Sequence, residues 1–464
     1  MRQKEIQRMT VKAKGGIVGL VVGTLVLVSS AFGGSVASLD GSFGKDGRVF
    51  TSIGTLLNNP GSVPISRGIA EDASGRLVVA TGAGVRIAIF RYRANGQLDT
   101  SFGNEGRTYI TLDIFPPTKY DAASAFDVAF QSDGKILIGG TYNGRARLIR
   151  LNPDGSLDTS FAAVNPSRIP GIWTYPPFRR LSAIETQGSR ILIGGSTDKP
   201  GASRFTKGYV ARLTQSGKFD ESFGSDGIAR FVSKKNTSAS IADLVIGGNK
   251  IYAAGQFNRD FLLARLTKNG KPDPTFGKSG RVVTNASKRK RCRCSTAEGL
   301  ARDERGRLVV SGFIEPKSGD GSISPRAIAV ARYRSNGALD KSFGNSGITR
   351  TKLAGFTVGR KVAVQPDGRI IVAGAYATAT WGVRDFTGPP KFTVVRYLTS
   401  GKLDRSFFGD GVFARKLGVK YPQAWVPILD RRGRVVVVGG GVTKTKMALL
   451  LIRIRPGYQG AGRG

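Results

Sequence analysis

Any chemistry in this chain has to work without histidine. Its 464 residues include 71 Lys and Arg and 32 Asp and Glu, but no His. That excludes a Ser-His-Asp triad, a His-ligated zinc or haem and an imidazole general base. Two thiols, Cys292 and Cys294, stand in the run KRKRCRCS. A disulfide between them would close almost no chain and add little stability, and two thiolates alone make a poor metal site. Their pairing stays open, and nothing calls for a metal or a cofactor. Asp121, Glu315 and Asp385 fall in long connecting segments, but no spacing pairs them as a glycosidase or lyase would require. More suggestive are aromatics beside cations: Trp173 with Tyr175, Phe178, Arg179 and Arg180; Trp381 with Arg384; Trp425; and the basic run Lys288, Arg289, Lys290, Arg291. Such groups suit sugar rings, acidic polymers or protein side chains. The competing reading is that these Trp pin down long connections or fill a central channel.

The elements that would hold these residues are repeats. A motif Leu-Asp-x-Ser-Phe-Gly-x-x-Gly recurs with its Asp at Asp40, Asp99, Asp158, Asp220, Asp273, Asp340 and Asp404, at intervals of 53 to 67 residues. The third copy (SFAAVN) lacks both glycines, and the seventh has Phe408 in place of the first. An Arg stands eight residues before each Asp, at Arg91, Arg150, Arg212, Arg265, Arg332 and Arg396. Arg453 holds that place in the last repeat, with Asp40 as its partner. Repetition in every unit favours a structural Arg–Asp pair over seven binding sites. Each repeat resolves into four short strands, a to d: AFDVAFQ, KILIGG, ARLIRL and the SLDTSF segment, split by Asp-Gly turns. The expected fold is all-β, a seven-bladed β-propeller of four-stranded antiparallel blades. The ends are complementary: SLDGSFGKDGRVFT is a last strand without its first three, and residues 425–455 supply three strands without a fourth. Pairing them closes the ring and leaves no open sheet edge.

The LDxSFGxxG segment and the hairpin QPDGRIIVAG resemble the delta-60 repeat of bacterial extracellular proteins, over residues 38–455. That resemblance implies a β-propeller and brings no activity with it.

The remaining segments are short. Arg2, Lys4, Arg8, Lys12 and Lys14 precede an apolar run, residues 17–32, and then Ser35-Val36-Ala37, the small-x-small pattern of a signal peptidase site. Residues 1–37 are therefore expected to be a signal peptide or, if uncut, a membrane anchor, the run being short for the latter. Residues 38–455 form the propeller and 456–464 a short flexible tail. Net charge is +39, and about +35 without the first 37 residues. In a blade the a–b and c–d turns share one face; the b–c and d–a connections, which carry nearly all the length variation here, share the other. Recognition usually lives on such loops. The expectation is a secreted or cell-surface monomer that binds an anionic cell-wall or extracellular polymer, or a protein partner, through this loop-rich face. No specific nucleic-acid reading is expected, and membrane contact only through an uncut signal. The alternative is a polysaccharide-active lyase or glycosidase using carboxylates on the same face; an enzyme is the less favoured of the two.

Overall fold

A computed structural model describes residues 37–55, 68–112, 122–163, 169–199, 202–231, 238–287, 295–314, 327–353, 356–377, 390–443, 446–455 and 457. The described residues form seven antiparallel sheets and no helix. Blade 1 spans residues 68–111, blade 2 123–173, blade 3 178–231, blade 4 239–284, blade 5 295–351 and blade 6 356–415. Blade 7 joins the C-terminal strands of residues 420–455 to the N-terminal strands Ser38–Leu39 and Arg48–Thr55. Ser38 pairs with Arg455, and Arg48 with Ile452, in the register that closes the ring.

Apolar side chains make this ring by filling the spaces between blades. Seven buried clusters each span two neighbouring blades; one joins Val79 and Phe90 of blade 1 to Val438 and Leu451 of blade 7. Strands b and c are covered on both faces, so they read as continuous apolar runs such as VVVV and LLLI rather than alternating ones.

One sequence expectation is corrected. The LDxSFGxxG segment is a turn, and strand d follows it, as in Arg107–Thr111, Arg281–Thr284 and Val412–Arg415. The cause is the Asp itself: Asp99 Oδ1 accepts both the backbone N–H and the hydroxyl of Ser101, which bends the chain before it can extend. The irregular copies obey the same geometry. Ala162 and Phe408 take the left-handed φ (54° and 51°) that Gly103 takes at 54°. In the third copy Gly171, an insertion later, replaces the missing second glycine: its N–H donates to the Phe161 carbonyl, as that of Gly106 does to Phe102.

Candidate functional site

Two sets of polar residues stand out, a ring near the a–b and c–d turns and a cluster on the axis. In the ring, the Nε of each repeat Arg lies 2.7–3.0 Å from its Asp Oδ2. A second cation, at the first residue of strand b or the one before it, reaches the same carboxylate at 2.5–3.8 Å: Arg76, Lys135, Arg190, Lys250, Arg307, Arg369 and Arg434. Sequence reasoning missed this second cation, although a basic residue after each a–b turn was visible. Each repeat Arg also stacks over the motif Phe, from Arg150 over Phe161 at 4.4 Å to Arg396 over Phe407 at 4.8 Å. In Arg91, Arg150, Arg212, Arg265, Arg332 and Arg453 the Nη1 donates to a carbonyl in the next blade, Arg332 to Thr399 and, across the closure, Arg453 to Ala94. The motif Phe sits against a glycine of the next blade, so a Cβ on Gly270 would strike the Phe223 ring. The ring carboxylates are thus consumed by the structure. Burial alone would raise Asp340, but Ser342 and Arg332 outweigh it and hold its pKa below the usual carboxylate range.

The axial cluster arises from one repeated backbone feature. In blades 2 to 7 the innermost strand a carries a register shift about midway, a β-bulge against strand b. The bulge is accommodated by a glycine on strand b: a side chain at Gly195 or Gly312 would collide with the carbonyl of Arg180 or Thr296. The bulged residues Phe126, Ser182, Ala242, Glu298, Arg360 with Lys361, and Trp425 line one narrow axial space, and Arg180 joins them. Arg180 lies 4.4 Å over the Phe126 ring and donates through Nε to Ser182 Oγ at 2.9 Å. Arg360 lies 4.3 Å over the Trp425 ring, with Nη1 3.8 Å from Glu298 Oε1. Lys361 passes the intervening blade 5 to reach blade 4, donating to Asp243 Oδ1 at 2.5 Å and to the Ala242 carbonyl at 3.1 Å.

Three carboxyl groups follow the bulges. Asp127 and Asp243 each bridge to the next blade, accepting the N–H of Ile184 at 2.8 Å and of Leu300 at 2.7 Å. Burial pushes Asp127 up to about 7, a rise that Lys361 opposes and Asp243 aids. Burial, then the charges of Asp127 and Asp243, push Glu185 up to about 8. Burial also raises Asp243, against the pull of Lys361. Strand a runs from the loop-rich end to the turn end. Arg180 precedes its bulge and Glu185 follows it, so Arg180 stands toward the loops and Glu185 toward the turns. Among the described residues no three His, Cys, Asp or Glu side chains are placed to share a metal ion.

The aromatic residues singled out by sequence part company. Trp173 is 2 % exposed and packs with Tyr175, Phe178 and Phe219, the last at 5.9 Å between ring centres. Its ring is core, not surface, because the short strand Ile172–Trp173 turns it into the space between blades 2 and 3. Tyr175 is half-buried in that cluster and Arg179 is exposed. Trp425 and Arg180 meet on the axis. Trp381, Arg384, Lys288, Arg289, Lys290, Arg291, Cys292, Cys294, Asp121, Glu315 and Asp385 lie outside the described residues, as do the signal segment except Ala37 and all of the tail except Gly457.

Five segments, residues 73–102, 131–161, 249–276, 318–343 and 365–407, match the profile of a β-propeller family described as a domain of unknown function, DUF5122. The chain belongs to this repeat family. Each DUF5122 match ends on a motif Phe, and four of them begin at an a–b turn. The family pattern therefore covers strands b and c and the Arg–Asp turn, while every axial residue falls outside it. No curated protein sequence matches the chain. Among solved structures, virginiamycin B lyase from Staphylococcus aureus is similar at 13 % identity, covering 87 % of this chain and 99 % of that one, with a TM-score of 0.46. Polysaccharide lyase Uly1 gives 11 % identity, 84 % and 89 % coverage and 0.44. Drosophila Semaphorin 1a gives 10 %, 87 % and 88 %, and 0.43.

Proposed function

We propose that the protein is a secreted or cell-surface binding module that takes an anionic extracellular polymer on its loop-rich face. The observation that carries this reading is the fate of the charge. The chain has a net +39, and folding neutralises carboxylates rather than cations. Each repeat Asp is buried against two basic side chains, so every such site keeps one positive charge in excess, and the second cation can remain half exposed, as Arg190 does on Asp220 at 52 %. Such a surface concentrates polyanions. The loop-rich face is favoured over the turn face because its connections vary and because Arg180 stands toward it on the axis.

A carboxylate-driven lyase or glycosidase is the weaker reading. It needs two carboxyl groups flanking a sugar, whereas Asp127 and Asp243 are engaged by backbone N–H groups and neither borders the axial space.

The test is binding of the full chain to purified wall polymers, acidic polysaccharides and DNA over a salt series. Saturable binding to one polymer that persists at moderate salt supports recognition. Equal binding to every polyanion, vanishing with salt, would reduce the reading to bulk charge.

A further inference from the structure

We infer that the axial space is an oxyanion site, in which Arg180, Arg360 and Lys361 receive a single carboxylate or phosphate group of the bound polymer. The inference rests on the binding reading above and gives it a place on the molecule.

Three cations from blades 3 and 6 border this space against one carboxylate, Glu298, itself 3.8 Å from Arg360. The two guanidiniums are fixed in a manner suited to recognition. Each has a face laid on an aromatic ring, Phe126 or Trp425. A guanidinium stacked in this way donates along its edges, and an Arg edge matches two oxygens of a carboxylate or phosphate. Lys361 is held at its tip by Asp243 and the Ala242 carbonyl, which fixes its position and offsets its charge, so the two guanidiniums supply most of the positive potential. Of the carboxyls farther along the axis, burial pushes Glu185 up to about 8, so it stays largely protonated near neutral pH, and Asp127 up to about 7, so it is only partly ionised there. The supports are bulged strands paired within each blade, and such placement keeps a site preorganised. The space is narrow and admits at most the tip of one charged substituent, not a length of chain. All of these residues lie outside the segments that match the family.

The test titrates the full chain calorimetrically with glucuronate, with inorganic phosphate and with neutral glucose. One oxyanion per chain is expected, with no heat from glucose. The tighter of glucuronate and phosphate identifies an acidic polysaccharide or a phosphate-bearing wall polymer as the source. Arg180→Gln and Arg360→Gln should each weaken binding by about tenfold or more, the cost of one charge-assisted hydrogen bond. Arg360→Lys keeps the charge but loses the fork and should fall between, which guards against misfolding of the Gln variants. Arg93→Gln, on the turn face, should bind as the parent does. Polymer binding that persists unchanged in both Gln variants, without saturable uptake of either oxyanion, overturns the axial site and leaves polymer recognition standing. Loss of both kinds of binding in the parent overturns both readings.

Discussion

Arg332 illustrates what each repeated residue holds together. Its Nε donates to Asp340, its Nη2 to Ser342 and its Nη1 to the Thr399 carbonyl of the next blade, and its guanidinium covers the Phe343 ring at 4.6 Å. One side chain thus closes a turn and ties two blades. Removing it strands a buried carboxylate, for which Arg307 at 3.8 Å is a poor substitute. Arg332→Ala should therefore cost about 3–5 kcal/mol, the usual penalty for breaking a buried pair. Arg332→Lys should recover only part, since an ammonium cannot make the fork. Denaturant unfolding of the two variants measures this, and a loss below about 1 kcal/mol, the level of an exposed pair, would contradict it. The pair was legible from the eight-residue spacing. The contact to the next blade was not, because it joins residues about 60 positions apart through a backbone carbonyl that carries no sequence signal.

At the scale of the element, the bulged inner strands decide what reaches the axis. They place Asp127, Glu185 and Asp243 where burial favours the protonated form, with Lys361 opposing. These groups bind protons more tightly folded than unfolded, so stability falls as pH rises from their unfolded values, near 4, through about 7 to 8. The repeat Asp residues have the opposite sign. Their lowered pKa values stabilise the fold above about pH 4 and lose that contribution on acidification. The melting temperature should therefore peak in mild acid, near pH 4–5, and decline toward pH 8–9. With no His in the chain, the decline falls to these carboxyls. Glu185→Gln should flatten its upper part. A melting temperature that is level or rising between pH 5 and 8.5 would contradict this assignment. The bulges had a faint signature: strand b glycines such as Gly140, Gly195, Gly312 and Gly439 recur opposite them. The sequence pattern reads these as strand ends, because nothing local reveals that a neighbouring carbonyl needs the space.

At the scale of the whole molecule, blade number, topology and closure all followed from seven motif copies and complementary ends. Repeats must bury their faces against one another, and that requirement can be read from period alone. The site followed less well. Trp173 stands beside arginines in sequence, yet it is core, whereas Arg180, Arg360 and Trp425 come from three blades and share no local pattern. Residues of one ring meet only on its axis, so sequence neighbours mislead and repeat-equivalent positions inform. The central claim is that polymer recognition engages this axis. Trp425, 4 % exposed and lining the axial space, reports on it directly. In a Trp173→Phe, Trp381→Phe background Trp425 becomes the single tryptophan, and its fluorescence is followed as the best-binding polymer is added. A saturable change that tracks binding and disappears with Arg360→Gln is the predicted result. Full binding with an unaltered Trp425 signal would contradict the claim.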